Sequence, residues 1–327
     1  MANDFSQDPR CKALWRFESG ALTVDSQGTN TLSQDGSPAI DTVDYKEGSA
    51  CVDLEKDSSQ GFYIPDVGLD AGFPLKNGDG TKKISVCCWF KPESIPGYNV
   101  YHTVWAKQYW AGSKVSVLFQ LTNNRMRFMW GYGSGTQNNY YDFYTPVAGH
   151  WYFVAIVIDG LARTLRIEVW DDTAGTHNSF SYTPAGELRV HDAAWTIGTE
   201  DNGASRTSYF DGKIDEVAVF NDLLGIMEIE AIHAGVYSFP ISEVRGHALG
   251  VISAYGLATG VQAQALGALV VYSLVPDVGW VDAYASGVLV AYKDRLPSQR
   301  VFPVPHPKVR WQSQAGKRRF PVVVGSS

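Results

Sequence analysis

The groups in this chain that could do chemistry are its carboxylates, its histidines and its aromatic rings. Cleaving a glycosidic bond takes two carboxylates that flank one oxygen. Asp215 and Glu216 are neighbours in a stretch that reads as a strand, so their side chains diverge. Glu168 comes with Asp171 and Asp172 only at a strand end. The seven His show no His-x-x-x-His spacing, and neither a Gly-x-Ser-x-Gly turn nor a glycine-rich phosphate loop occurs. Catalysis is therefore not expected. Asp215 is read instead as a structural carboxylate that accepts hydrogen bonds from turn amides.

Aromatic rings offer a different chemistry, because their faces stack on sugar rings while nearby polar groups fix the hydroxyls. Two loop-rich regions concentrate them: Tyr98, Tyr101, Trp105, Tyr109 and Trp110, then Trp130, Tyr132, Tyr140, Tyr141 and Tyr144. The second region has the Gly, Ser, Asn and Tyr mixture of an adaptable recognition loop. Tyr109, Trp110, Trp130, Tyr132, Tyr140 and Tyr141 are the candidates for contact with a glycan or a protein partner. The alternative is that Trp105 and Trp130 are core residues at strand ends and the tyrosines cover a sheet or a subunit contact.

The frame that must hold these rings reads as all-β. Of 327 residues, 45% are hydrophobic and 13% aromatic, with 32 Gly and 10 Trp, which suits many strands and turns. The length implies about two domains. A net charge of -7 argues against a general nucleic-acid binder. The charge is uneven: residues 241–327 carry nine Lys or Arg against four Asp or Glu, and the first 240 carry 18 against 30. The start, Met1-Ala2-Asn3-Asp4-Phe5, reads as neither a signal peptide nor a membrane span. Cys11, Cys51, Cys87 and Cys88 form no disulfide framework by spacing and read as buried free thiols.

Strands are expected at Ala13–Glu18, Ala50–Leu54, Gly61–Ile64, Ile84–Phe90, Val115–Leu121, Arg125–Trp130, Gly149–Ile158 and Thr164–Trp170. The Asn123-Asn124 pair reads as a hairpin turn. A last strand, Lys213–Phe220, leads to a short helix beginning near Asn221. The stretch Phe210-Asp211-Gly212-Lys213-Ile214-Asp215-Glu216-Val217 resembles the closing strand of laminin-G-like, concanavalin-A-like jelly rolls, whose signature is aromatic-x-Gly-x-Ile-Asp-Glu-Val. The order Trp89-Phe90-Lys91-Pro92, Gly149-x-Trp151-x-x-Val154-Ala155, an Asp-Gly turn and Trp195-x-Ile197-Gly198 is similar to that family over residues 13–235. The resemblance implies a β-sandwich of two antiparallel sheets. Polysaccharide-cleaving members would show an acidic triplet at alternating positions of one strand, which is absent here. The loop Glu200-Asp201-Asn202 resembles calcium-binding loops of lectin-like members, but no metal ligand is assigned and no cofactor is required.

Residues 241–327 are other material. Ala248–Tyr255 recurs as Ala265–Tyr272 and Ala285–Tyr292, with spacings of 17 and then 20 residues, read as too short and irregular for a standard solenoid, with one strand per copy. From Arg295 onward there are seven basic residues, no acidic one and five prolines, which reads as an extended arm. The repeats resemble those in the C-terminal parts of tailed-bacteriophage structural proteins. The resulting expectation is a jelly roll over 1–240, a β-repeat attachment and oligomerisation segment over 241–294, and a basic Pro-rich arm over 295–327. Leu249, Tyr255, Leu266, Tyr272, Leu289, Tyr292, Arg310, Lys317, Arg318 and Arg319 are the attachment candidates. The chain is expected to be a non-enzymatic virion protein, a capsid decoration or fibre-like appendage. It would contact other virion proteins, assemble as a homotrimer and bind host-surface polysaccharide, without nucleic acid or membrane as partners. The alternatives are a free carbohydrate-binding module and, after that, a glycoside hydrolase or lyase.

Overall fold

A computed structural model describes residues 3–110, 114–133, 137–203 and 205–239, and beyond them the backbone of eight strands between residues 244 and 312. In chain order the first strands are β1 (Cys11–Trp15), β2 (Ser33–Asp35), β3 (Ala39–Asp41), β4 (Cys51–Leu54), β5 (Gly61–Ile64), β6 (Lys83–Pro92), β7 (Tyr101–Tyr109), β8 (Lys114–Thr122) and β9 (Arg125–Gly131). They continue with β10 (Asn138–Tyr144), β11 (Tyr152–Asp159), β12 (Thr164–Asp171), β13 (Thr176–Tyr182), β14 (Trp195–Ile197), β15 (Glu200–Asp201), β16 (Arg206–Thr207) and β17 (Gly212–Phe220). One sheet runs β13-β12-β11-β6-β17-β4-β3, with β1 added on β17; the other runs β10-β9-β8-β7-β14-β5-β2. This is the expected two-sheet sandwich.

The alternation read from the sequence explains the packing. Val86, Cys88 and Phe90 of β6 meet Val117, Phe119 and Leu121 of β8 in one buried core. Trp15, Trp105 and Trp195 stack inside it: Trp105 lies 5.3 Å from Trp195 at 11°, and Trp15 lies 6.4 Å from Trp195 at 23°. Asn123 and Asn124 turn the β8–β9 hairpin at φ of 52° and 59°, a conformation Asn tolerates better than most residues. All four cysteines are buried and none is in a disulfide.

Three local expectations need correction. The aromatic regions around residues 101–109 and 138–144 are strands β7 and β10, not loops. Their polar residues hid the pattern: Lys107 faces inward, where its Nζ lies 2.5 Å from Asp66 Oδ1 and donates to Ala193 O at 2.7 Å. The helix does not begin near Asn221. The Asn221 amide extends strand pairing to Arg10 O, and α1 (Ile226–His233) starts after Gly225, whose amide donates to Glu228 Oε2 at 2.7 Å.

The chain divides into two compact units, 9–224 with residues 1–2, and 225–327 with residues 3–8. The dividing point lies before α1, whereas the sequence placed it after residue 240. The N-terminal segment is part of the second unit: Asn3 Nδ2 donates to Ile232 O at 2.9 Å, the Tyr237 amide donates to Asn3 Oδ1 at 2.8 Å, and Phe5 packs 5.2 Å from the Tyr237 ring.

The second unit continues with β18 (Val244–Leu249), β19 (Ile252–Gly256), β20 (Gly260–Leu266), β21 (Leu269–Ser273), β22 (Trp280–Ala285), β23 (Val288–Lys293), β24 (Val301–Pro303) and β25 (Val309–Gln312). They form two sheets, β18-β20-β22-β25 and β19-β21-β23-β24. Each repeat gives one strand to each sheet, and successive repeats pair in parallel, so Tyr255, Tyr272 and Tyr292 share one register row. The repeats therefore stack as a short solenoid, contrary to the expectation of one strand per copy. The unequal spacing is absorbed between Ser273 and Trp280, outside the paired strands. Within the arm, β24 and β25 close the two sheets as antiparallel edge strands. Pro303 ends an edge strand, where a missing N–H is tolerated.

Candidate functional site

The outer face of the second sheet gathers the groups suited to a sugar. Residues opposite one another on neighbouring strands share a face, and two rows cross this one. The first is Tyr63, Thr196, Ala106, Leu118, Met129 and Tyr140; the second is Thr103, Gln120, Arg127 and Asp142. Phe119 and Phe128, one residue away, point into the core. Ala106, Val115, Leu118 and Met129 form a small apolar cluster, each at most 1% exposed, on which Trp110 packs, so the middle of this face is covered.

Trp110 is held in place. Its indole Nε1 donates to Glu200 Oε2 at 3.2 Å, and Gln108 Nε2 donates to the same oxygen at 2.5 Å. Ser208 Oγ and Thr207 Oγ1 donate to Glu200 Oε1 at 2.6 and 3.3 Å. Four donors on one buried carboxylate make an anchor rather than a free acid. Asp201 Oδ1 accepts the Gly203 amide at 2.8 Å, an ordinary Asx turn. Among the described residues no group of three His, Cys, Asp or Glu is placed to hold a metal ion.

At the other side of the cluster Tyr140 is 52% exposed. Arg127 forks onto Asp142, Nε to Oδ1 at 2.5 Å and Nη2 to Oδ2 at 2.9 Å, and its guanidinium lies 5.6 Å from the Tyr140 ring centroid. The hydrogen bond it donates to Asp142 holds the Arg127 proton more tightly than usual. A ring face beside a planar, bidentate ion pair gives a stacking surface next to hydroxyl donors and acceptors.

The six candidates do not form one surface. Trp110 and Tyr140 share the outer face. Tyr109 ends β7 beside Gly203, where a Cβ would come within 2.1 Å of the Tyr109 ring. Trp130 is 0% exposed and donates from Nε1 to Gly186 O at 3.0 Å, so it is a core residue and not a contact. Tyr141, adjacent to Tyr140, takes the opposite face and packs 4.4 Å from the Tyr182 ring, partly buried against the core. Tyr132 pairs with Leu188 away from this face, and the backbone of Gly186 lies against its ring. The sequence read Glu200 only as part of a calcium-like loop and missed Arg127 and Asp142; the alternation of Arg125 and Arg127 with Met126 and Phe128 in β9 was the usable signal. Of the attachment candidates, Leu249, Tyr255, Leu266, Tyr272, Leu289, Tyr292 and Arg310 lie on strands of the second unit. Lys317, Arg318 and Arg319 lie outside the described residues.

The acids named from the sequence have structural partners. Asp215 Oδ2 accepts the amides of Lys46 and Glu47 at 2.8 and 3.1 Å, and burial pushes its carboxyl up to about 8. Glu216 accepts two hydrogen bonds from Arg16 Nη1, both 2.9 Å, yet burial still raises it to about 8. A bulge between Asp215 and Ala218, with Glu216 at φ 49°, brings both neighbours inside the fold. Glu168 accepts from Ser179 Oγ and pairs with His177 Nε2, each at 2.9 Å, and Asp171 pairs with His150 at 3.0 Å. Asp172 pairs with Lys46.

No curated protein matches the chain. Among solved structures, the binding domain of botulinum neurotoxin DC in complex with SialylT matches at 9% identity and a TM-score of 0.50, covering 72% of this chain and 53% of that one. The same domain in complex with rat synaptotagmin II matches with the same values. The enzymatically active domain of tailspike protein 2 from bacteriophage CBA120 matches at 12% identity and a TM-score of 0.46, covering 64% and 31%. The chain spans about half the length of the neurotoxin chains it matches, and the likeness at such identity is one of fold. The sequence profile of the concanavalin A-like lectin/glucanases superfamily, of laminin G type, matches residues 66–230, half of the chain. With the two-sheet sandwich and its ordered motifs, that match makes the chain a member of the concanavalin A-like lectin/glucanases superfamily.

Proposed function

We propose that the protein is a non-enzymatic bacteriophage virion component whose jelly roll binds host-surface glycans and whose second unit attaches it to the particle as a homotrimer. The observation that carries the binding half is the outer face of the second sheet. There Trp110 is locked over a covered apolar cluster by Glu200, and exposed Tyr140 with the Arg127–Asp142 pair lies at its other side. A glycan unit stacks on Tyr140 and exchanges hydrogen bonds with Arg127 and Asp142. Support for a role without turnover comes from the carboxylates. Glu200 already accepts four hydrogen bonds, and Asp142 is engaged at both oxygens by Arg127. A glycosidase needs one carboxyl open to the leaving oxygen and a second across the bond.

Support for the attachment half comes from the repeats. Parallel in-register stacking of near-identical strands suits an assembly module, because each repeat must be covered by another layer. The test has two parts. Titration of the full chain against host-surface polysaccharides should show binding that Tyr140→Ala weakens about tenfold, the loss of one stacking contact. Purified particles should contain the protein in multiples of three. Free monomeric protein absent from particles, or shortened polysaccharide after incubation, would overturn the proposal.

A further inference from the structure

Tyr140 is not the only ring that the outer face of the second sheet offers to solvent. Tyr101, at the start of β7, is 38% exposed. The strand register fixes how far apart the two stand. Tyr101 lies opposite Thr122, and Thr122 opposite Arg125, while Tyr140 lies opposite Met129. From β7 to β10 is three strand spacings, and from Arg125 to Met129 is four residues along β9. At ~4.8 Å per strand and ~3.4 Å per residue, the diagonal between the two tyrosines is about 20 Å.

Arg127 falls close to that diagonal, midway along β9 between the levels of the two tyrosines. Its guanidinium is 5.6 Å from the Tyr140 ring centroid and forks onto Asp142, and after that hydrogen bond the phenol groups of both Tyr101 and Tyr140 bear on its charge. Beneath the line Thr103, Gln120 and Thr122 are closed off, each at most 4% exposed. The covered cluster under Trp110 lies to one side, in the row that runs from Tyr140 back to Ala106. The strip is therefore a platform: two rings at its ends and one ion pair between them. A small sugar bound alone needs enclosure over most of its surface, which a platform does not give. Contacts set apart on a platform gain strength when one molecule reaches both, because the second contact is then intramolecular.

We propose that this face takes an interior stretch of an extended polysaccharide, about four sugar units long, laid from Tyr140 across Arg127 to Tyr101. Tyr101 is a second stacking platform, and the Arg127–Asp142 pair exchanges hydrogen bonds with the hydroxyls of the units between the rings. The inference rests on the glycan-binding reading and gives it a ligand class: chain interiors, not chain ends or free monosaccharides.

The test is calorimetric titration of the full chain with purified host-surface polysaccharide and with the fragments of its partial acid hydrolysate, graded by size. Affinity should rise at least about tenfold between fragments of about two sugars and those of about four or more, then level off. Tyr101→Ala should weaken the long fragments and the polymer about tenfold and leave the short fragments unchanged, whereas Tyr140→Ala should weaken both. Tyr101→Phe should bind as the wild type does, because it keeps the ring face; a loss equal to that of Tyr101→Ala would overturn stacking at this position. Tyr45, equally exposed, sits beside Lys46, which lies 4.5 Å over the Trp89 ring of the other sheet, so Tyr45→Ala should change nothing. A loss in Tyr45→Ala matching that in Tyr101→Ala would contradict the placement of the chain. Light scattering on the same samples guards against a subunit contact: a Tyr101→Ala chain with altered oligomeric state and unaltered affinity would assign Tyr101 to an interface and overturn the proposal. Binding that depends on Tyr140 but not on fragment length or Tyr101 would overturn this inference and leave the glycan reading standing. No binding of polymer or fragments would overturn both.

Discussion

The two adjacent buried carboxyls set a pH dependence that Asp215→Asn should remove in part. Asp215 has an ordinary value of 3.8 and is pushed to about 8 in the folded chain by burial. A folded value above the unfolded one means that the folded chain holds the proton more tightly. The stabilisation from that proton is complete below about pH 4 and is lost as the pH rises through about 8. About four pH units at ~1.4 kcal/mol each give a ceiling of about 6 kcal/mol, and water penetration and relaxation bring the expected difference to about 2–3 kcal/mol. Asparagine keeps one oxygen for the Lys46 and Glu47 amides and carries no charge. Whatever the amide costs in packing is the same at every pH. The assay is urea unfolding at pH 5 and pH 8 by tryptophan fluorescence, which reports the jelly roll because eight of the ten tryptophans precede Gly225. Relative to wild type, Asp215→Asn should be more favourable at pH 8 than at pH 5 by at least about 2 kcal/mol. Equal shifts at the two pH values would mean that Asp215 is ionised throughout and that burial does not govern its proton.

Other substitutions separate framework from surface. Trp130→Ala should cost about 3–5 kcal/mol in unfolding experiments, as expected for a large core residue; a near-neutral result would return Trp130 to the list of contacts. Gly203→Ala places a methyl group against Tyr109 at φ 90°, and about 1–3 kcal/mol of destabilisation should appear in the same assay. Glu200→Ala leaves four donors without their acceptor, so it should weaken polysaccharide binding and lower stability by about 2–3 kcal/mol, read by titration and melting. The full chain should run as a trimer by light scattering and residues 9–224 as a monomer; a monomeric full chain would remove the assembly role of the second unit.

Much of the jelly roll was legible because its buried strands alternate plainly. Ile84, Val86, Cys88 and Phe90 announce β6, and Asn123-Asn124 announces the hairpin between β8 and β9. Strands β7 and β10 were not legible, since Lys107, His102 and Gln108 on one and Asn138, Asn139 and Asp142 on the other break the apolar pattern. Lys107 is buried only because Asp66, far away in sequence, meets it. The candidate site was half visible for the same reason. Composition marks Trp110 and Tyr140, but only the strand register puts Arg127 opposite Asp142 and separates Tyr140 from Tyr141. In the second unit the tyrosine repeat was plain, but the parallel register that stacks its copies depends on pairing that spacing alone does not specify.

The most direct test of the glycan-binding claim is calorimetric titration of the full chain with a purified host-surface polysaccharide, wild type beside Tyr140→Ala, followed by sizing of the polysaccharide. The expected result is saturable binding by the wild type, about tenfold weaker binding by the variant, and polysaccharide of unchanged length. Equal affinities for the two proteins, or chains shortened after incubation, would contradict the account.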